Sequence, residues 1–245
     1  MSDQRNQHEE FFEVVWETDD LLVVDKRPGV LTMGQSPNEP SVLAGVRSYL
    51  TELTQNVDPF IAIIGRLDVP VSGLLLIAKH SACAQLMWTQ QRQRDISKRY
   101  VALVEGSVEP DEQVLVDWIV KHRRHRRVTV VSEATEAAQA ARLTFRVVAR
   151  WPAATGLEIK LQTGRKHQIR AQLAHHGHPI RGDRKYGGKP WAIRGIALCC
   201  QRLTLVDPRN LHQRLVFERP EPWEFWRSSN GLAPRDSWRE SKVEP

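Results

Sequence analysis

The stretch IAIIGRLDVPVSGLLLIAK, residues 61–79, sets two aliphatic runs on either side of a turn that holds Arg66, Asp68, Pro70, Ser72 and Gly73. Residues 61–64 and 73–77 are too short and too rich in branched aliphatics for surface helices, so they read as buried strands. An ionised carboxylate at the end of a buried strand is costly unless it is paired and hydrogen-bonded. Asp68 therefore needs a cationic partner or a catalytic task, unless it only caps the turn while Arg66 solvates it.

Outward from that hairpin, residues 12–16 and 21–24 read as paired strands, and Lys26-Arg27-Pro28-Gly29 forces a loop. Between Ser41 and Gln55, Leu43, Val46, Leu50 and Leu53 share a helical face, with Ser41 suited to the N-cap. A second helix is expected over 80–94, then strands over 99–105, 114–120, 128–132, 141–148, 156–162, 196–206 and 214–217. Too few helices alternate with these strands for a doubly wound parallel sheet, so the class is α+β, with a central mixed, mostly antiparallel sheet flanked by helices. Residues 1–10 read as a flexible N-terminus, 11–227 as one domain and 228–245 as a polar, disordered tail.

The chain has 245 residues, enough for a substantial core, with a net charge of +6 and a pI near 9.5. Arginine supplies most of its 35 basic residues, and a planar guanidinium suits phosphates and base faces better than an ammonium does, which favours a nucleic-acid partner. Lys121 to Arg127, KHRRHRR, is too dense in charge for a packed face and reads as a phosphate contact or a solvated loop. Three cysteines, two of them adjacent, make no disulfide framework and fit a reducing, cytoplasmic compartment. No signal segment or membrane span is legible. His175, His176 and His178 have no cysteine or carboxylate spaced to complete a metal site and read as a loop.

Thr163-Gly164-Arg165-Lys166-His167-Gln168-Ile169-Arg170 opens a helix with Ile169 and Leu173 facing inward. Cations crowd the end where the helix dipole favours anions, so they are expected to meet a phosphate or a carboxylate such as Asp68.

Three segments, GRLDVPVSGLLLIAK at 65–79, KRYVALVEG at 98–106 and LQTGRKHQIRAQLAHHGHPIRGDRKYGG at 161–188, resemble in order and spacing the motifs of the RluA-type pseudouridine synthases, and LLVVDKRPGVLT at 21–32 resembles the family's opening strand and turn. The likeness implies a pseudouridine synthase fold and the isomerisation of specific uridines in rRNA or tRNA, without cofactor or metal. It places the catalytic aspartate on Asp68, the aromatic residue that stacks on the target base on Tyr100, the basic residue that pairs with the aspartate on Arg165 and an aliphatic pocket wall on Ile169. Because a stacked uridine must be flipped out, a basic rim is also implied. Arg66, Arg170, Arg181, Arg184, Lys185 and the 121–127 cluster are its candidates, with Arg66 placed to fill the space the base leaves. The family usually carries His, Thr and His where this chain has Gly65, Val71 and Cys199. Those departures keep a second expectation open, a non-catalytic RNA-binding or RNA-folding protein on the same scaffold. The likeness begins near Leu21, so an extra N-terminal RNA-binding module is not expected, and a monomer acting on structured RNA away from membranes is.

Overall fold

A computed structural model describes residues 7–36, 39–122, 127–223, 226 and 242–244. In chain order it contains β1 (Phe12–Glu17), β2 (Leu21–Lys26), α1 (Val42–Thr54), β3 (Ala62–Ile64), β4 (Ser72–Ala78), α2 (Ser81–Gln93), β5 (Ser97–Glu105), β6 (Glu112–Lys121), β7 (Val128–Val131), β8 (Ala138–Trp151), β9 (Ala154–Leu161), α3 (Gln168–His175), β10 (Leu198–Asp207) and β11 (Asn210–Glu218). The chain divides into two compact units. One comprises Met1–Ser97, Cys200–Pro220 and Arg235–Pro245, the other Lys98–Cys199 and Glu221–Pro234.

In the first unit the strand order is β1-β2-β4-β10, with β3 also on β4 and β11 on β10. β1–β2, β2–β4, β3–β4 and β10–β11 are antiparallel. Every residue of β2 is buried, and so are the last six of β4, as continuous aliphatic runs require. Gly73 has φ +116, and a Cβ there would lie 2.4 Å from the backbone oxygen of Cys200, so only glycine lets β10 approach this closely.

Both helices of this unit begin with side-chain caps. The Ser41 hydroxyl accepts from the N–H of Ala44 at 3.2 Å. His80 Nδ1 accepts from the N–H of Cys83 at 3.2 Å, which leaves Nε2 to donate to Asp20 at 2.7 Å. On α1 the buried face is Val42, Gly45, Val46 and Leu50, whereas Leu53 is 56% exposed because the face has rotated off the core by the last turn. Gln90 of α2 is buried and pairs with Val206 as a strand backbone would, donating at 2.9 Å and accepting at 3.0 Å. At the chain's start, residues 7–10 form a 3-10 turn whose His8 stacks on Phe12 at 5.2 Å, so this part of the N-terminus is anchored.

In the second unit the order is β5-β9-β8-β6-β7, and β5–β9, β9–β8, β8–β6 and β6–β7 are antiparallel. α3 buries Ile169 and Leu173. Trp223 and Trp226 join Trp151 and Trp191 in a chain of ring contacts 5.6–6.4 Å between centroids, capping one end of this unit. The three cysteines are free and buried, and burial pushes the Cys83 thiol up to about 11, which suits packing rather than nucleophilic chemistry. No helix among the described residues is long and apolar enough to cross a membrane.

Candidate active site

Asp68 lies in the first unit, in the turn between β3 and β4, half-buried, with Arg66 exposed two residues before it. Gly65 opens the turn at φ +86, a left-handed conformation that an L side chain adopts only with strain. The Val71 N–H closes the turn on the Asp68 carbonyl at 3.0 Å, and the Val71 side chain is buried.

The backbone on each side of Asp68 is held from the β2 end. Thr32, 2% exposed, donates its hydroxyl to the Leu67 carbonyl at 2.7 Å and accepts from the Leu67 N–H at 3.2 Å. The fully buried Lys26 ammonium donates to the carbonyls of Arg27 at 2.9 Å, Val30 at 2.8 Å and Val69 at 3.2 Å. The Gly29 N–H adds a second bond to the Val69 carbonyl at 2.7 Å. A buried ammonium is tolerated because all three of its N–H groups are used. Residues 26–32 thus clamp Leu67 and Val69, and the aspartate between them inherits a fixed backbone. Neither Lys26 nor Thr32 is a site candidate in the sequence reading, although a lysine inside the apolar run LLVVDK is a usable signal.

Tyr100 lies in the second unit on β5, in register with Ile159 of β9, and is 7% exposed. Arg165 sits on the turn between β9 and α3. Gln168, 3% exposed, organises this turn: its Oε1 accepts from the Thr163 hydroxyl at 2.8 Å and the Arg165 N–H at 2.9 Å, while its Nε2 donates to the Arg142 carbonyl at 3.1 Å. The exposed Arg165 side chain donates from Nε to the Ala140 carbonyl at 3.0 Å. The N-cap of α3 is His167, which has φ +54 and makes no side-chain capping bond, so the helix N-terminus lacks its usual side-chain acceptor.

Arg170 departs from the expectation of a rim cation. It is 4% exposed and forms a fork with Asp183, Nε to Oδ2 at 2.6 Å and Nη2 to Oδ1 at 2.9 Å. A carboxylate it meets is therefore Asp183, which ties it into the scaffold under the motif. Its guanidinium also lies 5.1 Å from the ring centre of Tyr186, as does that of Arg127. The Tyr186 hydroxyl accepts from the buried Val128 N–H at 3.1 Å and lies 2.9 Å from His167 Nδ1. Burial outweighs the two cations and pushes the Tyr186 phenol up, so it stays a neutral donor.

Arg181 is half-buried, with Nη2 3.5 Å from Glu105 and its backbone N–H bonded to Leu103 at 2.9 Å. Arg184 and Lys185 are exposed in the 3-10 turn Arg184–Tyr186, and Ile169 is 5% exposed on α3. Within the 121–127 cluster, residues 123–126 lie outside the described residues. His176 pairs with Asp117 at 3.1 Å.

A family model described as RNA pseudouridylate synthase matches residues 20–175. Among curated proteins, the ribosomal large subunit pseudouridine synthase D of Nitrosomonas europaea is 34% identical over 90% of this chain and 65% of its own length. Its Yersinia pestis counterpart is 30% identical over 76% of this chain and 55% of its own length. The chain thus spans less than two thirds of these relatives. Among solved structures, human RNA pseudouridylate synthase domain containing 1 superposes with a TM-score of 0.72 over 91% of this chain and 87% of its own, at 20% identity.

Proposed function

Because this chain belongs to the RNA pseudouridylate synthase family, with residues 20–175 matching the family model, we propose that it converts specific uridines of structured RNA into pseudouridine. The reaction breaks the bond from the ribose anomeric carbon to uracil N1, turns the base in place and joins the same sugar carbon to uracil C5. A proton leaves C5 and one is gained at N1, so the reaction is an isomerisation. The observation that carries this reading is the clamp on Asp68: Lys26 and Thr32 use buried hydrogen bonds to fix the residues on either side of one half-exposed carboxylate.

We assign Asp68 as the catalytic carboxylate, acting either as nucleophile or by drawing a proton from the sugar. Tyr100 is assigned as the flat wall for the flipped uracil, where stacking contributes about 1–3 kcal/mol per base. Arg165 is the basic member of the catalytic set and Ile169 an apolar wall. Arg66, Arg181, Arg184 and Lys185 are the rim cations that hold the distorted RNA backbone. The names of the relatives favour large-subunit rRNA over tRNA as substrate. Three free, buried cysteines fit action in the reducing cytoplasm, and the chain is taken to work as a monomer.

The test is to incubate the full chain with unmodified large-subunit rRNA transcribed in vitro, and to map pseudouridine by chemical labelling and primer extension. A discrete set of new stops supports the assignment. Tight binding without any stop would instead support the non-catalytic reading that Gly65 and Val71 leave open.

A further inference from the structure

The open face of the second unit's sheet carries a charge pattern that the catalytic assignments do not use. Antiparallel register places Arg99 of β5 directly opposite Lys160 of β9, and Lys160 opposite Thr144 of β8. Like charges directly opposed across strands are unfavourable. The adjacent row could relieve this, since Glu158 lies opposite Arg146 in register, but its carboxylate is already shared between Arg99 at 3.4 Å and Arg146 at 3.3 Å. Arg142, opposite Val116 in register, and Lys160 are both exposed and have no carboxylate partner among the described residues. Four cations and the shared Glu158 thus cover a patch about two strand spacings wide, roughly 10 Å, with one further carboxylate, the exposed Glu112 of β6, opposite Arg146 at its margin.

Beside this band runs an apolar ridge on the same face of β6. Val114 is 43% exposed, Val116 is 61% exposed, and Trp118, next in the alternation, is half-buried. Aliphatic and aromatic side chains on an edge-proximal sheet face normally require cover. The ridge also borders the catalytic segment, because Trp118 pairs in register with Ala140, whose carbonyl accepts from Arg165.

We infer that this face is a second RNA-docking surface, in which Arg142 and Lys160 take phosphates while Val116 and Trp118 lie against unstacked bases. The occupant is RNA because the unpaired charge is positive, three of the four cations are guanidinium forks, and the apolar ridge runs alongside them, the pairing that single-stranded or looped RNA satisfies. The surface extends RNA contact away from the flipped uridine, so it supplies affinity and register rather than chemistry. The inference rests on RNA being the substrate, as proposed above.

The experiment measures binding of the same large-subunit rRNA transcript, by filter retention over a range of salt concentrations, to the wild type and to the double variant Arg142→Gln/Lys160→Gln. Each phosphate contact contributes about 0.7 to the salt slope on single strands and about 0.9 on duplex. The double variant is therefore expected to lose about 1.4–1.8 of slope along with affinity, and to raise KM with little change in kcat. The double variant Arg47→Gln/Arg92→Gln, which removes two exposed cations from α1 and α2, should keep its slope. Photo-crosslinks from 4-thiouridine in the RNA to wild-type peptides of β6, β8 or β9 would support the surface without any substitution. An unchanged slope in the first variant, an equal loss in the second, or crosslinks that avoid these strands would overturn the proposal. Because these readouts are of binding, wild-type protein that made no pseudouridine but lost slope as stated would count against the isomerase reading alone.

Discussion

Thr32 shows how much of the candidate site is held by a residue that does no chemistry. Its hydroxyl both donates to and accepts from Leu67, so replacing it with valine, nearly equal in shape, leaves a buried N–H and a buried carbonyl without partners. Such a loss costs about 1–3 kcal/mol. Thr32→Val is expected to fall within that range in urea denaturation and to lower kcat while RNA affinity stays unchanged, with Thr32→Ser restoring both. A purely structural role would move stability but leave the kcat to KM balance of the remaining folded enzyme alone. At this scale the sequence is legible where chemistry sets the residue type: an acid in the 65–73 turn and a basic TGRKHQIR block stand out. It is opaque for Thr32 and Gln168, because their partners are mostly backbone groups, which carry no residue-type signature.

The elements were largely readable because period and capping mark them. Ser41 starts α1 as its hydroxyl predicts, and the two runs of 61–79 form β3 and β4. The lengths of β8 and β9 were harder: β8 runs to Trp151 and begins at Ala138, since a long twisted pair holds polar residues by register rather than by apolar alternation. The crowding of cations at the start of α3 calls for an anion, and Arg170 meets a carboxylate that the sequence reading did not name. Its carboxylate is Asp183, thirteen positions on in the glycine-rich loop, a pairing set by the turn after α3 that no helical period reveals. Removing the guanidinium strands that carboxylate at 1% exposure. Arg170→Gln is therefore expected to cost about 3–5 kcal/mol, read from the midpoint of chemical unfolding, with catalysis lost through the fold. A variant that unfolded like the wild type yet failed to retain RNA would return Arg170 to the rim.

For the whole molecule, the charge of +6 and the arginine-rich composition point to a polyanion, and the family match motivates the reaction proposed for it. The central claim is that Asp68 carries that reaction, and tritium release measures it most directly. RNA transcribed with uridine tritiated at C5 loses its label to water whenever the base is reattached through that carbon. The wild type is predicted to release tritium in step with pseudouridine formation, and Asp68→Asn, which keeps the shape and the clamped backbone, is predicted to release none while binding the RNA as well as before. Release by Asp68→Asn at a rate near that of the wild type would contradict the account.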